Sequence, residues 1–129
     1  RCLEMNRKAT IYVAGPMRGY DDYNYPAFDY RANVLEEHGW NVINPAELDR
    51  KQGKPMADPK SFSPDTNYED HEYMRSALKR DMDAICDDCT AIYMMRDWEK
   101  SRGAKTEWHL AKALGLDIHY EVPLPKYSE

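Results

Sequence analysis

The sequence is poor in cysteine, and its few cysteines do not form a disulfide framework. Only three cysteines, an odd number, stand among 129 residues, whereas small disulfide-stabilised domains carry them in pairs. Cys86 and Cys89 form a C-x-x-C motif. This motif is compatible with redox chemistry, with half of a zinc site, or with small buried residues between a helix and a strand. A second C-x-x-C or H-x-x-H pair is missing, so we predict neither a metal nor a cofactor.

Long apolar runs are missing as well. No stretch approaches the roughly 20 apolar residues that cross a bilayer, and the chain does not start with the basic and then apolar segments of a signal peptide. We therefore expect a cytoplasmic protein with no membrane partner. The formal net charge of -5 argues against general binding to a nucleic-acid polymer, although a local basic pocket would still accept one phosphate.

Several common nucleotide and metal motifs do not occur. There is no G-x-G-x-x-G and no Walker lysine motif, which disfavours a dinucleotide or a triphosphate ligand. There is no H-E-x-x-H, and the four histidines are scattered along the chain, at His38, His71, His109 and His119.

The composition indicates one soluble globular domain, with 42% hydrophobic and 32% charged residues in 129. We expect this single domain to span residues 9–122, with tails at 1–8 and 123–129. The first four residues, "RCLE", are interpreted as foreign to the natural chain, which would start at "MNRKATIYV".

Apolar spacing predicts strands and helices that alternate along the chain. The predicted strands cover 9–15, 40–44, 89–95 and 117–122, and the predicted helices cover 25–39, 70–85 and 98–115. This alternation predicts an α/β fold with a doubly wound parallel sheet of four to five strands, flavodoxin-like or Rossmann-like, with helices on both faces. A ligand site is expected at the carboxyl ends of the strands.

Three details of this pattern concern loops and helix ends. Asn24 is a candidate N-cap of the first helix, and Gly39 is a candidate stop signal at its end. Residues 45–69 are rich in Pro, Lys, Asp and Ser and show no period, so we predict a variable loop that serves as a lid or binding loop, or is partly disordered.

Segments that follow the strands converge at the predicted ligand edge. "GPMRGY" follows the first strand and "RDWEKSRGA" follows the third. Glycines permit close backbone approach, arginine offers a two-pronged donor to an anion, and a helix N-terminus favours a phosphate. We therefore predict a pocket whose anion site consists of Arg18, Gly19, Ser101 and Gly103. Gly15, Pro16 and Met17 are predicted as further pocket residues. The alternative is that Gly15 and Pro16 only turn the chain and Ser101 is an ordinary N-cap.

Two acids interrupt apolar helix stripes. Glu107 lies three residues after Ala104 and four before Ala111, and Asp81 lies four residues after Ala77 and four before Ile85.

An unpaired buried carboxylate is costly, so each acid needs a partner, a raised pKa or a chemical role. A salt bridge to Arg80 or Lys105 would be a purely structural explanation. Two inward acids beside an anion pocket favour catalysis instead, because glycosidic-bond cleavage uses paired carboxylates in unlike environments.

Tyrosines near the first strand are further candidates. Tyr12 lies inside that strand, where its hydroxyl would bond a carboxylate or simply be core. Tyr20, Tyr23 and Tyr25 lie close behind the first loop, where they would stack on a base or belong to an ordinary surface turn.

Three segments together resemble a known group of enzymes. "TIYVAGPMRG", "RDMDAICDDC" and "SRGAKTEWHLAKALG" are similar to the three motifs of the nucleoside 2-deoxyribosyltransferase superfamily. The loop and the serine most resemble its 2'-deoxynucleoside 5'-monophosphate N-hydrolase branch and similar phage and bacterial domains of uncharacterised function. The resemblance runs from Thr10 to Ile118, except for residues 45–69.

The resemblance implies roles for individual residues. Glu107 matches the catalytic glutamate that attacks or stabilises C1' of the sugar, Asp81 the aspartate that assists proton transfer to the base, and Tyr12 the tyrosine that orients the glutamate. Arg18 and Gly19 match the phosphate loop, although Pro16 departs from the hydroxyl residue often found there. The sites of the family are completed by a neighbouring subunit, which implies a homodimer.

Ser101 separates the branches that the resemblance leaves open. Transferases acting on free nucleosides tend to have an aspartate at this position, whereas serine suits a 5'-phosphate that an acid would repel. We therefore expect hydrolysis of the N-glycosidic bond of (deoxy)nucleoside 5'-monophosphates. A deoxyribosyltransferase and a non-catalytic nucleotide-binding module are the alternatives.

Overall fold

The computed structural model of the protein describes residues 9–53 and 68–123. The described strands are β1 (Thr10–Ala14), β2 (Asn41–Ile43), β3 (Ala91–Met94) and β4 (Asp117–Tyr120). The described α-helices are α1 (Tyr25–Glu37), α2 (Pro45–Gln52), α3 (Tyr68–Asp88) and α4 (Arg102–Leu114), and short 3-10 helices cover Asp21–Asn24 and Trp98–Lys100. Strands and helices alternate as the apolar spacing predicts.

The four strands form one parallel sheet in the order β2-β1-β3-β4. Strand β1 is central, and all five of its residues are buried. Because side chains alternate along a strand, Ile11 and Val13 pack with α1 and α2 on one face. Tyr12 and Ala14 pack with α3 and α4 on the other. The predicted doubly wound sheet with helices on both faces is confirmed.

The strand order creates a switch point between β1 and β3. The chain leaves β1 toward β2 on one side and returns to β3 on the other, so the connections diverge at the carboxyl ends of these two strands. The strand ends stay close, since the Met95 amide donates to the Ala14 carbonyl at 2.8 Å. A Cβ atom at Gly15 would lie 2.9 Å from Cβ of Met95, so the cleft at this edge requires glycine there.

The predicted loop at 45–69 is wrong over its first third, which forms helix α2. Asn44 accepts a hydrogen bond from the Ala46 amide at 3.0 Å, and Pro45 occupies the first turn. A capped proline start is a strong helix signal even where the following sequence has few apolar residues. Gly53, at a φ of 108°, ends the helix. The prediction for residues 54–67 lies outside the described residues.

Smaller predictions need correction as well. Asn24 adopts a left-handed conformation and makes no capping bond to α1, although Gly39 ends that helix region with a positive φ as expected. The predicted helix at 98–115 divides at Ser101 into a 3-10 turn and α4. Of the two cysteines expected to be buried, Cys89 is buried and Cys86 is exposed.

No helix among the described residues is long and apolar enough to cross a membrane. The tails predicted at the two chain ends fall, except for Pro123, outside the described residues.

Candidate active site

A cavity of about 580 Å³ opens at the switch point. All the residues predicted for the site except Gly19 line it, namely Tyr12, Gly15, Pro16, Met17, Arg18, Asp81, Ser101, Gly103 and Glu107. Gly19 does not line the cavity; it lies exposed in the same loop with a φ of 88°. The sheet edge, helix α3 and the start of α4 therefore enclose one site, as the motif positions predict.

Glu107 of α4 lines the cavity. Its residue is 5% exposed, and Oε2 accepts a hydrogen bond of 2.7 Å from the Tyr12 hydroxyl, which is fully buried in β1. Glu107 lies three residues after the buried Ala104 and four before the buried Ala111, so helix periodicity turns it toward the sheet. The carboxyl is thus dry and held in one orientation.

Asp81 approaches the same place from α3 and is 8% exposed. Its Oδ1 accepts two hydrogen bonds from the guanidinium of Arg80, from Nε at 3.0 Å and from Nη2 at 2.9 Å. Arg80 is thus the salt-bridge partner that the structural explanation proposed for Asp81. The two carboxyls differ in their surroundings, because Asp81 contacts a cation and Glu107 contacts a phenol.

Burial is the main cause of unusual proton affinities in this site. Burial and the neighbouring Asp81 charge raise the pKa of Glu107 well above its usual value, although the Tyr12 hydrogen bond opposes the rise. Burial also raises the pKa of Asp81, against the lowering effect of Arg80. Burial and the two nearby carboxyls raise the pKa of Tyr12, so it stays a hydrogen-bond donor. Two acids with raised pKa values in one cleft are typical of acid and base catalysis.

A third acid, Asp49, which the sequence analysis did not predict, contacts Arg80. Asp49 of α2 is buried; its Oδ1 accepts from Arg80 Nη2 at 2.8 Å and its Oδ2 accepts from the Tyr25 hydroxyl at 2.9 Å. Arg80 Nη1 also donates to Gln52 at 2.7 Å. Because Tyr25 is buried against Asp49 and does not line the cavity, its predicted role in stacking on a base is wrong.

The start of α4 forms a cationic end of the cavity. The Ser101 hydroxyl caps the helix by accepting from the Ala104 amide at 3.1 Å, so the ordinary N-cap explanation is correct as far as it goes. The first hydrogen bond of the α-helical pattern runs from the Lys105 amide to the Ser101 carbonyl. The amides of Arg102 and Gly103 come before this bond, and such amides point out of the start of a helix. Arg18, Lys100 and Arg102 also line the cavity, and cationic side chains together with a helix start favour an anion.

The loop after β1 is held in an unusual shape. Asp22, Tyr23 and Asn24 have consecutive left-handed φ values of 54°, 53° and 61°, a conformation that costs side chains other than glycine about 1–2 kcal/mol each. The Asn24 side-chain amide donates to the Pro16 carbonyl at 2.9 Å. The Arg18 guanidinium lies 5.6 Å from the centre of the Tyr23 ring. The turn thus fixes both the loop and its arginine beside the cavity.

The remaining wall is largely apolar, and most of its residues are not among the predicted site residues. It includes Phe28 of α1 and Met74, Ala77 and Leu78 of α3, together with Tyr73 and the predicted Tyr20 and Tyr23. Met74, Ala77 and Leu78 belong to the apolar stripe of α3 that Asp81 interrupts, and hydrophobic periodicity alone does not distinguish such a stripe from core packing. Burial and the nearby Asp49 raise the pKa of the Tyr73 hydroxyl to about 12. Such a wall suits a flat, heteroaromatic group.

These features define a small parallel α/β domain with a two-carboxyl cleft at its topological switch point. Among the residues that the structure describes, no group of three or more His, Cys, Asp and Glu side chains is arranged to hold a metal ion. Residues 9–120 match the family model described as "Domain of unknown function (DUF4406)", and the chain belongs to this family. A search of curated proteins finds no match.

Proposed function

We propose that this protein hydrolyses the N-glycosidic bond of (deoxy)nucleoside 5'-monophosphates, releasing a free base and (deoxy)ribose 5-phosphate. The observation that carries the proposal is the buried Glu107 carboxyl bonded to Tyr12, in one cavity with Asp81 and with the cationic start of α4. Ser101 lies six residues before Glu107, which corresponds to about 9 Å along a helix. A sugar phosphate would span an interval of this size.

The proton balance of the reaction follows from the carboxyl pair. As the bond from C1' to the base breaks, the base keeps the bonding electrons and takes a proton from the pair through Asp81. Glu107, as its carboxylate, stabilises the positive charge that develops at C1'. Water then adds its hydroxide to C1' and returns a proton to the pair. Raised pKa values let the pair hold this proton at pH values where an exposed carboxyl would have lost it.

Binding energy far from the reacting bond would position the sugar. The phosphate would contact Arg18, Ser101 and the first amides of α4, while the base would lie against the apolar wall that includes Phe28 and Leu78. Such remote contacts hold the reacting atoms in place and so lower the barrier.

The direct test is release of free base from a panel of nucleoside and deoxynucleoside 5'-monophosphates, followed by chromatography. We expect base to appear with the wild-type protein and not with Glu107→Gln, which keeps the shape of the side chain. Glu36→Gln, at an exposed position of α1, serves as the control and retains activity. If nucleotides bind and no base is released from any of them, the hydrolase proposal is wrong and a non-catalytic nucleotide-binding module takes its place.

A deoxyribosyltransferase is the second candidate, since the same carboxyls would serve it. The two are separated by adding a free base to the reaction, because a transferase passes the sugar to that base whereas a hydrolase passes it to water. The serine at position 101, which is also the helix cap, favours the hydrolase because it would not repel a phosphate.

We further propose that the protein acts in the cytoplasm, as a homodimer, on a small-molecule nucleotide and not on a nucleic-acid polymer. The net charge of -5 disfavours a polymer of phosphates, and nucleoside monophosphates carry charges that keep them inside the cell. Light scattering on a gel-filtration column measures the oligomeric state, and a mass equal to that of one chain would contradict the dimer.

A further inference from the structure

A chain of four side chains links helix α2 to the proposed proton donor. The Tyr25 hydroxyl donates to Asp49 Oδ2, Arg80 Nη2 donates to Asp49 Oδ1, and the Nε and Nη2 of Arg80 both donate to Oδ1 of Asp81. Only Asp81 of these four is placed in the reaction proposed above. The other three must have another reason to be joined to it in a largely buried position.

The geometry at Asp81 is asymmetric. Two nitrogens of Arg80 donate to the same oxygen, Oδ1, so the cation contacts the carboxyl at Oδ1. A guanidinium is planar and rigid, so this arrangement fixes the plane of the carboxyl. Tyr12 of β1 and Glu107 of α4 also interact with Asp81.

The guanidinium itself is held by Asp49. Both oxygens of Asp49 are engaged, one by Arg80 and one by Tyr25, and the residue is buried. Tyr25 is itself almost wholly buried in the core, which makes it a rigid anchor. Gln52, one turn further along α2, accepts from a third nitrogen of Arg80. The position of Arg80 is thus set by helix α2 and not by α3 alone.

We propose that Asp49 and Arg80 are positioning residues of the active site, with Asp49 anchoring the Arg80 guanidinium so that Arg80 fixes the orientation and the charge of Asp81. The inference rests on the proposed function, since it takes Asp81 as the group that passes a proton to the leaving base. Burial raises the pKa of Asp81 and Arg80 opposes this rise. Without Arg80 the carboxyl would be a weaker acid and free to turn away from the base.

The charged and titratable groups around Asp81 come from four elements: Tyr12 on β1, Asp49 on α2, Arg80 on α3 and Glu107 on α4. Arg80→Gln removes the only cation among them. We expect the pKa of Asp81 to rise. We expect the pKa of Glu107 to fall, because a neutral Asp81 no longer repels its charge and this loss outweighs the smaller lowering effect of Arg80 itself. Arg80→Lys keeps the cation and should restore part of the effect.

Two variants of Asp49 separate anchoring from simple charge. Asp49→Asn removes the negative charge but keeps an oxygen that accepts from Arg80, so the pKa of Asp81 should fall, because Asp49 itself raises it. Asp49→Ala removes the anchor, so Arg80 leaves Asp81 and the pKa of Asp81 should rise. The two variants are therefore expected to move the same titration in opposite directions.

The test is carboxyl-carbon NMR titration of the protein without substrate, together with kcat and KM where base release is measurable. Controls are Lys79→Gln and Asp83→Asn, which change the same charges in an exposed pair on the same helix, joined at 3.2 Å. We expect Arg80→Gln and Asp49→Ala to lower kcat at least about tenfold, since a positioned acid contributes about 10²–10⁴ to such rates. Asp49→Asn should lower kcat less than Asp49→Ala does. The two control variants should change kcat by less than about threefold, and KM should change by less than about threefold in all of these variants.

The outcomes separate this inference from the proposed function. The positioning role is wrong if Arg80→Gln changes the pKa values of Asp81 and Glu107 no more than Lys79→Gln does. It is also wrong if both Asp49 variants shift the pKa of Asp81 in the same direction. Either result counts whether or not the variants are active. If the titrations shift as expected and no nucleotide yields free base, the positioning role stands as a property of the site and the proposed hydrolase is wrong.

Discussion

The Tyr12 hydroxyl, at the centre of the sheet, donates a 2.7 Å hydrogen bond to Oε2 of Glu107 on helix α4. Both residues are buried, so the bond fixes the carboxyl in a place with little water. The same bond opposes the rise in the pKa of Glu107 that burial causes. One phenol therefore controls both the direction and the charge of the carboxyl on which the proposed reaction depends.

Tyr12→Phe removes this bond and keeps the ring. A hydrogen bond to a charged group is worth about 1.5–3 kcal/mol, so we expect kcat to fall by roughly 10- to 100-fold. KM should change little, because the cationic end of the cavity, where the phosphate is proposed to bind, is formed by other residues. Tyr93→Phe is the control, since Tyr93 is a partly buried tyrosine of the neighbouring strand that does not line the cavity. Equal losses in both variants would contradict the role of Tyr12.

The raised pKa values of the carboxyl pair predict the pH dependence of the rate. The pair must hold a proton for the base, so kcat should fall as the pH rises through its upper pKa, at a pH above the usual carboxyl range. Asp81→Asn removes both the acid that passes this proton and the charge that raises the pKa of Glu107. In this variant the residual rate should lose its fall at high pH and should instead rise with pH as Glu107 ionises, at a lower pH than in the wild type. The measurement is kcat as a function of pH at constant ionic strength. If the pH dependence of Asp81→Asn is the same as that of the wild type, the two carboxyls are not coupled.

Stability should also depend on Glu107. Its pKa is raised in the folded protein, so its contribution to stability is fully present below the unfolded pKa and is lost as the pH rises through the folded pKa. Glu107→Gln cannot ionise and escapes this loss. Above the folded pKa we expect the variant to be more stable by on the order of 1 kcal/mol, or about 4 °C in Tm. Thermal denaturation across pH tests this against Glu36→Gln, which should show no such gain.

The two carboxyls of the cavity could be predicted from the sequence because each breaks a pattern. Glu107 and Asp81 interrupt apolar helical stripes, and a buried acid in such a stripe demands a partner or a role. Tyr12 could be placed beside them because a central strand is buried on both faces. The cationic end of the cavity could be predicted because the topology fixes the position of its loops at the sheet edge.

Asp49 could not be predicted in the same way. Its helix, α2, begins with the Asn44 cap and Pro45 and contains few apolar residues, so hydrophobic periodicity did not reveal it. The burial of Asp49 depends on Tyr25 and Arg80, which are 24 and 31 residues away, and no local spacing encodes that contact. The left-handed turn at Asn24 was missed because it contains no glycine.

That turn gives a prediction for the loop after β1. Asp22 is exposed and has a φ of 54°, so Asp22→Gly should stabilise the protein by about 1 kcal/mol by relieving backbone strain. Asn24→Gly relieves strain but loses the bond to Pro16, so the loop should loosen and KM for the monophosphate should rise. Denaturant unfolding and steady-state kinetics measure the two effects. A rise in KM with Asp22→Gly as large as that with Asn24→Gly would show that the Pro16 bond is not what holds the loop.

Ser101 allows the cap and the phosphate contact to be separated. Asp and Asn cap helices about as well as Ser, so Ser101→Asp and Ser101→Asn should keep the stability of α4, whereas Ser101→Ala should lose about 1 kcal/mol with the bond to Ala104. Of these three variants, only Ser101→Asp adds a negative charge at the cationic end of the cavity. We therefore expect Ser101→Asp to raise KM for the monophosphate by about tenfold or more relative to Ser101→Asn. The reason is that two like charges a few ångströms apart in a partly buried site repel each other by more than about 1.4 kcal/mol. KM for the free nucleoside, which has no phosphate, should change little. If Asp and Asn at this position weaken nucleotide and nucleoside equally, Ser101 does not face the phosphate and the distinction from a nucleoside transferase loses its basis.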